Sequence, residues 1–139
     1  MDKFPFSMSY QIPFDDVDMG GVVHNSKYLL FFERSRVGYF KQAGINFIPP
    51  PDDLFFVVRR HEIEYLRPLV FDDKIICEAR VSEVRNSSFI FKYRILKEEL
   101  LVATGMTVVV NVLPPLFNTN PLPDSFKEKI TAFEQMARV

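Results

Sequence analysis

Residues 14–43 constrain this chain more than any other stretch. A loop, Phe14-Asp15-Asp16-Val17-Asp18-Met19-Gly20-Gly21-Val22-Val23-His24-Asn25, carries three carboxylates and two glycines and runs straight into an apolar segment, Ser26 to Ala43. Asn25 or Ser26 is placed to cap a helix over that segment, and Gly44 follows its end, where a left-handed residue is common. Tyr28, Leu29, Leu30, Phe31 and Phe32 put apolar side chains on every side of its early turns. A helix lying on a surface does not tolerate that pattern. The expectation is a long central helix, wrapped on most sides by whatever the rest of the chain supplies.

The rest supplies strands. Ser7 to Phe14 alternates Met8, Tyr10, Ile12 and Phe14 on one face. After a proline-rich connection (Pro49, Pro50, Pro51), Leu54 to Arg67 begins as a continuous apolar run and then alternates, Ile63 and Tyr65 against Glu62 and Glu64. Lys74 to Val84, Ser88 to Lys97 and Leu101 to Val112 follow, joined by Arg85-Asn86-Ser87 and Glu98-Glu99. Three strands with short turns predict an antiparallel meander, with Leu54 to Arg67 at or near an edge. Pro114 and Pro115 end the last strand. From Asp124 a short amphipathic helix presents Phe126, Ile130, Phe133 and Ala137, placed on the domain surface or on a partner subunit. The sum is an α+β chain whose 139 residues make a single domain, 1–139, with its core over about 7–113 and a C-terminal linker and helix over 114–139. One helix covers one sheet face, so the other face and the edge need cover, and a homodimer is expected.

The loop has chemical content. Asp15, Asp16 and Asp18 are candidate bases or nucleophiles, and glycines let the chain approach a ligand closely. The first helical turn offers unpaired N–H groups and the positive end of the helix dipole. A carboxylate beside fixed donors is what attack on an acyl carbonyl requires. The plainer alternative is a turn that Asp and Gly simply favour. A calcium loop fails because the twelfth position from Asp16 is Lys27 where a bidentate Glu is needed. Asp16, two residues from Asp18 on an extended segment, shares its side and reads as structural; Asp15 points to solvent.

Bulk properties narrow the field. A net charge of −1 lends no support to nucleic-acid binding. The lone Cys77 excludes an internal disulfide and falls on a buried alternating face. The start of the chain lacks a signal-peptide core, and no run approaches a membrane span, so the expected location is cytoplasmic. His24 and His61 have no metal-site spacing, so neither a metal nor another cofactor is implied.

The block Phe14-x-Asp16-x-Asp18-x-x-Gly21-x-Val23, with Tyr28 and Glu33 in the helix, resembles the hotdog-fold acyl-CoA thioesterases of the 4-hydroxybenzoyl-CoA thioesterase group, including its Tol–Pal-associated members. Val58-Arg59-Arg60-His61-Glu62-Ile63-Glu64-Tyr65-Leu66-Arg67-Pro68, followed by Asp72-Asp73, is similar to that group's long strand and turn. The resemblance covers about residues 7–113. It implies a helix wrapped in an antiparallel sheet and a thioesterase acting on acyl-CoA. Asp18 would be nucleophile or general base, and the Asn25 N–H would polarise the carbonyl. It also implies a homodimer or homotetramer with active sites at the subunit interface. His24, Asn25 and Lys27 depart from better-known members.

Around that centre the expected substrate contacts are Gly21, Val23, His24, Tyr28 and Phe32. Arg59 and Arg60 are candidates for coenzyme A phosphates or, equally, part of a solvated strand face. Glu33 either pairs with Arg36 at i+3 or serves as a second carboxylate near the acyl group. Two rival functions stay open: a thioesterase acting on acyl carrier protein, and a non-catalytic module that binds acyl thioesters.

Overall fold

The computed structural model describes residues 3–137. Strand β1 (Phe6–Gln11) leads through a 3-10 turn (Phe14–Asp16) to helix α1 (Asn25–Ala43). Then come β2 (Phe56–Tyr65), β3 (Lys74–Val84), β4 (Ser88–Lys97), β5 (Leu100–Leu113), the two-residue β6 (Asn118–Thr119) and helix α2 (Asp124–Met136). The main sheet is antiparallel in the order β1-β3-β4-β5-β2, with β6 added to β5. This is the expected α+β layout, a long helix against an antiparallel sheet, and β2 is an edge strand.

Alternation sets the faces. Ile75, Cys77, Ala79 and Val81 of β3 and Phe89, Phe91, Tyr93 and Ile95 of β4 turn inward and are buried under α1 and α2. Bulges in β3 after Val81 and in β2 after Val58 shift the register locally. Gly44 ends α1 at φ 77°, with the Gly44 N–H on the Lys41 carbonyl and the Ile45 N–H on that of Phe40. That double bond pattern closes the last helical turn.

Three expectations are corrected. The first strand stops at Gln11, because Pro13 has no N–H to extend the ladder; Phe14 turns outward, 76% exposed, with its ring against Phe71. The Leu54–Arg67 strand is shorter at both ends, Leu54 donating to the Pro51 carbonyl and Leu66 and Arg67 sharing that of Val102. And α1 is not wrapped on most sides. It packs chiefly on β1 and β3. Leu29, Leu30 and Val37 are left more than one third exposed, as are Val58 and Tyr65 on β2.

Helix α2 docks on its own chain. Phe126, Ile130 and Phe133 enter the core beside Tyr39 and Phe40, and a Glu134 carboxylate oxygen accepts from Tyr39 Oη and from the Val81 N–H (2.8 Å). No helix among the described residues is long and apolar enough to cross a membrane.

Candidate active site

The loop before α1 is closed by a short antiparallel bridge between Val17 and Val23. The Asp18 N–H donates to the Val22 carbonyl (2.9 Å), and the Gly21 N–H to that of Asp18 (3.0 Å). Within this ring Asp18 Oδ1 accepts from the Gly20 N–H at 2.8 Å and the Val22 N–H at 3.4 Å. Gly21 sits at φ 84°, a region that penalises other residues. At Gly20 a Cβ would come 3.2 Å from Asp18 Oδ1, so the carboxylate lies tight against bare backbone. Asp18 is exposed, and its Oδ2 meets no protein donor among the described residues.

The helix cap differs from expectation. His24, not Asn25 or Ser26, is the N-cap: its Nδ1 accepts from the Ser26 N–H at 3.2 Å and lies 2.8 Å from Ser26 Oγ. Accepting there puts the imidazole proton on Nε2. The His24 N–H is held by the Asp16 carbonyl (2.9 Å), and the Val23 N–H by that of Leu69 (2.8 Å). Asn25 becomes the first helical residue, and its N–H donates to no protein acceptor among the described residues. Such first-turn groups are open to a ligand.

Asp16 is 6% exposed and lies in a 3-10 turn rather than on an extended segment. One oxygen accepts from Tyr10 Oη (3.0 Å) and the other faces Lys27 Nζ at 3.7 Å. It braces the loop from below. Asp15 is exposed.

Asp18, Gly21, Val23, His24, Asn25 and Tyr28 thus gather at the N-terminus of α1. Val23 and Tyr28 are buried, and burial raises the Tyr28 hydroxyl to about 12, helped by charge from Tyr65 and Asp73. Phe32 lies one turn deeper, fully buried and stacked on Tyr93 at 4.2 Å, and belongs to the core. Arg59 is the bulged residue of β2. Arg60 lies on the face away from the helix and pairs with Glu62. Five residues of strand, roughly 16 Å, separate Arg60 from Tyr65, so within one chain the two arginines are not brought to Asp18.

Glu33 does not pair with Arg36. Arg36 Nη1 donates instead to Tyr93 Oη (3.0 Å), which donates to Thr107 Oγ1 (2.7 Å), which lies 2.9 Å from His61 Nδ1. Burial, and then the charge of Arg36, lowers the His61 imidazole. Burial pushes the Cys77 thiol up to about 12, which leaves it a neutral, inert side chain. Among the described residues no three His, Cys, Asp or Glu side chains are placed to hold a metal ion.

One site residue escaped the sequence. Tyr65 Oη donates to the Asn25 carbonyl at 3.4 Å, and its ring meets Tyr28 edge-on, with centroids 4.9 Å apart. Alternation with Glu62 and Glu64 gave its face, but nothing local couples it to a residue forty positions away.

The model of the thioesterase-like superfamily matches residues 12–130. The acyl-CoA thioesterase YbgC of Haemophilus influenzae is 32% identical over 111 residues, covering 77% of this chain and 80% of that one. The 1,4-dihydroxy-2-naphthoyl-CoA hydrolase of Microcystis aeruginosa is 30% identical over 116 residues, 81% and 83% of the two chains. A crystal structure of a thioesterase from Thermus thermophilus, complexed with coenzyme A and Zn, superposes with a TM-score of 0.84 at 28% identity, covering 97% of this chain and 98% of that one. With a matching model over most of its length and the helix-against-sheet fold of these neighbours, the chain belongs to the thioesterase-like superfamily of hotdog-fold proteins.

Proposed function

We propose that this protein is an acyl-CoA thioesterase: acyl-S-CoA + H₂O → carboxylic acid + CoA. The observation that carries the reading is the pairing of Asp18, with one oxygen held by Gly20 and Val22 and the other open, with the unengaged N–H of Asn25. The thioester oxygen sits at the Asn25 N–H, where donor and helix dipole stabilise the negative charge that develops on attack. Asp18 Oδ2 then acts on the carbonyl carbon directly or draws a proton from an attacking water. In either role the C–S bond breaks and the thiolate of coenzyme A departs and takes up a proton; after direct attack, water then hydrolyses the acyl–Asp18 anhydride, releasing the acid and freeing the carboxylate. The names of the H. influenzae and M. aeruginosa relatives support an acyl-CoA substrate. Gly21, Val23, His24 and Tyr28 border the acyl group. Phe32 backs them from the core, and Arg59 and Arg60 serve phosphates carried past the β2 edge.

The unpaired edge of β2 and its exposed Val58 and Tyr65 favour a homodimer, or a tetramer of such dimers, joined edge to edge with the active sites at the junction. The chain then works as one catalytic unit over 1–139, in the cytoplasm. The test is thiol release from a panel of aromatic, short-chain and medium-chain acyl-CoAs. Asp18→Asn keeps an oxygen for the Gly20 N–H while removing the charge. A loss of at least about 100-fold, or ~2.7 kcal/mol of transition-state stabilisation, is expected. Binding of acyl-CoA without turnover by the wild type would sink the enzymatic reading and leave a binding module.

A further inference from the structure

We infer that the apolar rim outside the Asp18 loop, built from Phe14, Met19, Val22, Val70 and Phe71, binds the pantetheine arm of the thioester substrate and takes up its gem-dimethyl segment. The inference rests on the acyl-CoA thioesterase reading and names what holds the thiol half of the substrate. Met19 follows Asp18 directly and its side chain is fully exposed, while Phe71 is 51% and Val70 42% exposed. The backbone beneath these side chains is fixed. The Val17–Val23 bridge and the hydrogen bonds of Asp18 to Val22 and of Gly21 to Asp18 close the first loop. The Val23 N–H on the Leu69 carbonyl, the Ile12 N–H on that of Asp73 and the Asp72 N–H on that of Ile12 stitch it to residues 66–73. Across this seam the Phe14 and Phe71 rings meet edge-on, with centroids 5.8 Å apart. Two braced loops therefore hold apolar side chains out into water beside the candidate carboxylate. The fold gains no burial from them, and clustered apolar exposure of this kind marks a binding surface.

Position and charge select the occupant. A thioester carbonyl at the Asn25 N–H has the buried Val23 and Tyr28 on its acyl side. Its sulfur side is left to the exposed loop, so the thiol arm leaves across Met19, Gly20 and Gly21. A Cβ on Gly21 would meet nothing within 4 Å, so the space above it is open. The carbonyls of Met19, Gly20 and Gly21 accept from no protein donor among the described residues. Pantetheine matches such a surface: amide N–H groups that need acceptors alternate along it with alkyl segments, the last of which carries the gem-dimethyl carbon. A flexible methionine suits contact with a chain of this kind. The phosphates of coenzyme A do not belong here. Lys27 and Lys97 offset Asp16 and Asp73, which leaves Asp15, Asp18 and Asp72 against Arg67 within residues 14–24 and 66–73. That field repels anions, so the rim holds the neutral arm and the nucleotide stays beyond it. An anionic lipid surface is disfavoured on the same ground.

Steady-state thiol release from three thioesters of one acyl group tests this. They are acyl-CoA, acyl-pantetheine and acyl-N-acetylcysteamine, the last of which keeps one amide but lacks the pantoyl group and its gem-dimethyl carbon. In Met19→Ser and Phe71→Ser, KM for the first two should rise about tenfold with kcat held within about twofold, the pattern of lost uniform binding. KM for the N-acetylcysteamine thioester should move by less than about twofold. A rise equal for all three substrates, or no rise, overturns the arm assignment. If the variants lower the mass in sedimentation and raise KM alike for all three, the rim is a contact between copies and the proposal falls. Should Phe71→Ser lose stability, Met19→Ser, at a side chain that packs on nothing, carries the comparison alone. A wild type that hydrolyses none of the three defeats the thioesterase reading itself, and the assignment with it. An active wild type whose variants do not track the pantoyl group defeats the assignment only.

Discussion

The ring of Phe32 occupies the space that a side chain at position 105 would need: a Cβ on Gly105 would come within 2.4 Å of Phe32 Cε2. Gly105 lies mid-strand in β5 between Tyr93 of β4 and Ile63 of β2, so neither backbone can withdraw. Gly105→Ala should cost about 1–3 kcal/mol, the usual penalty of overpacking. Urea denaturation measures it, and adding Phe32→Leu should recover part of the loss. An unaffected single variant would show that the α1–β5 contact yields freely.

The His24 imidazole caps α1 through the Ser26 N–H. His24→Ala should therefore cost about 0.5–2 kcal/mol, whereas His24→Asn, which keeps an acceptor at a favoured capping residue, should cost less. Because the same cap orients the Asn25 N–H, thiol release should fall with His24→Ala more than with His24→Asn. Equal stability of the two variants would remove the capping role.

Glu134 ties α2 to the core by accepting from Tyr39 Oη and from the Val81 N–H. Burial, and then the Glu134 hydrogen bond, push the Tyr39 hydroxyl far above its ordinary value, keeping it a donor. Glu134→Ala strands both donors, at roughly 1–3 kcal/mol for each group left unsatisfied. Amide exchange in α2 and β3 should accelerate first. Uniform exchange across the molecule would show that α2 is not held locally.

Stability should fall on both sides of neutrality. Cys77 and Tyr28, each raised by burial to about 12 from 9.0 and 10.0, keep their protons in the folded state after the unfolded chain has released them. Their contribution is complete below about pH 9 and is lost as pH rises toward 12. His61 is lowered from 6.5, so the unfolded chain binds that proton first. Its contribution is complete above 6.5 and is lost as pH falls below that value. Urea midpoints against pH should show a gentler alkaline slope in Cys77→Ala and a gentler acidic slope in His61→Gln. Slopes unchanged from wild type would assign the dependence to other groups.

Much of the architecture is written locally. An apolar segment from Ser26 to Ala43 between capping residues, a period of 2 in β3 and β4, and the breaks at Gly44, Pro68 and Pro114 are short-range properties, and they yielded the order of elements, the meander and the edge position of β2. The loop residues around Asp18 assemble because they are consecutive in the chain and need only the Val17–Val23 bridge to close. The misreadings have one cause. An all-apolar stretch in α1 shows that the helix wants cover, but not that its contacts fall chiefly on β1 and β3 and leave Leu29, Leu30 and Val37 more than one third exposed. Spacing at i, i+3 permits a Glu33–Arg36 contact, but Tyr93, fifty-seven residues from Arg36, takes that guanidinium instead. The reach of Tyr65 to Asn25 and of Glu134 to Val81 likewise joins residues far apart in the chain. Such contacts depend on sheet register and on where the helices settle, and those are set by competition among all the apolar surfaces at once rather than by any segment alone.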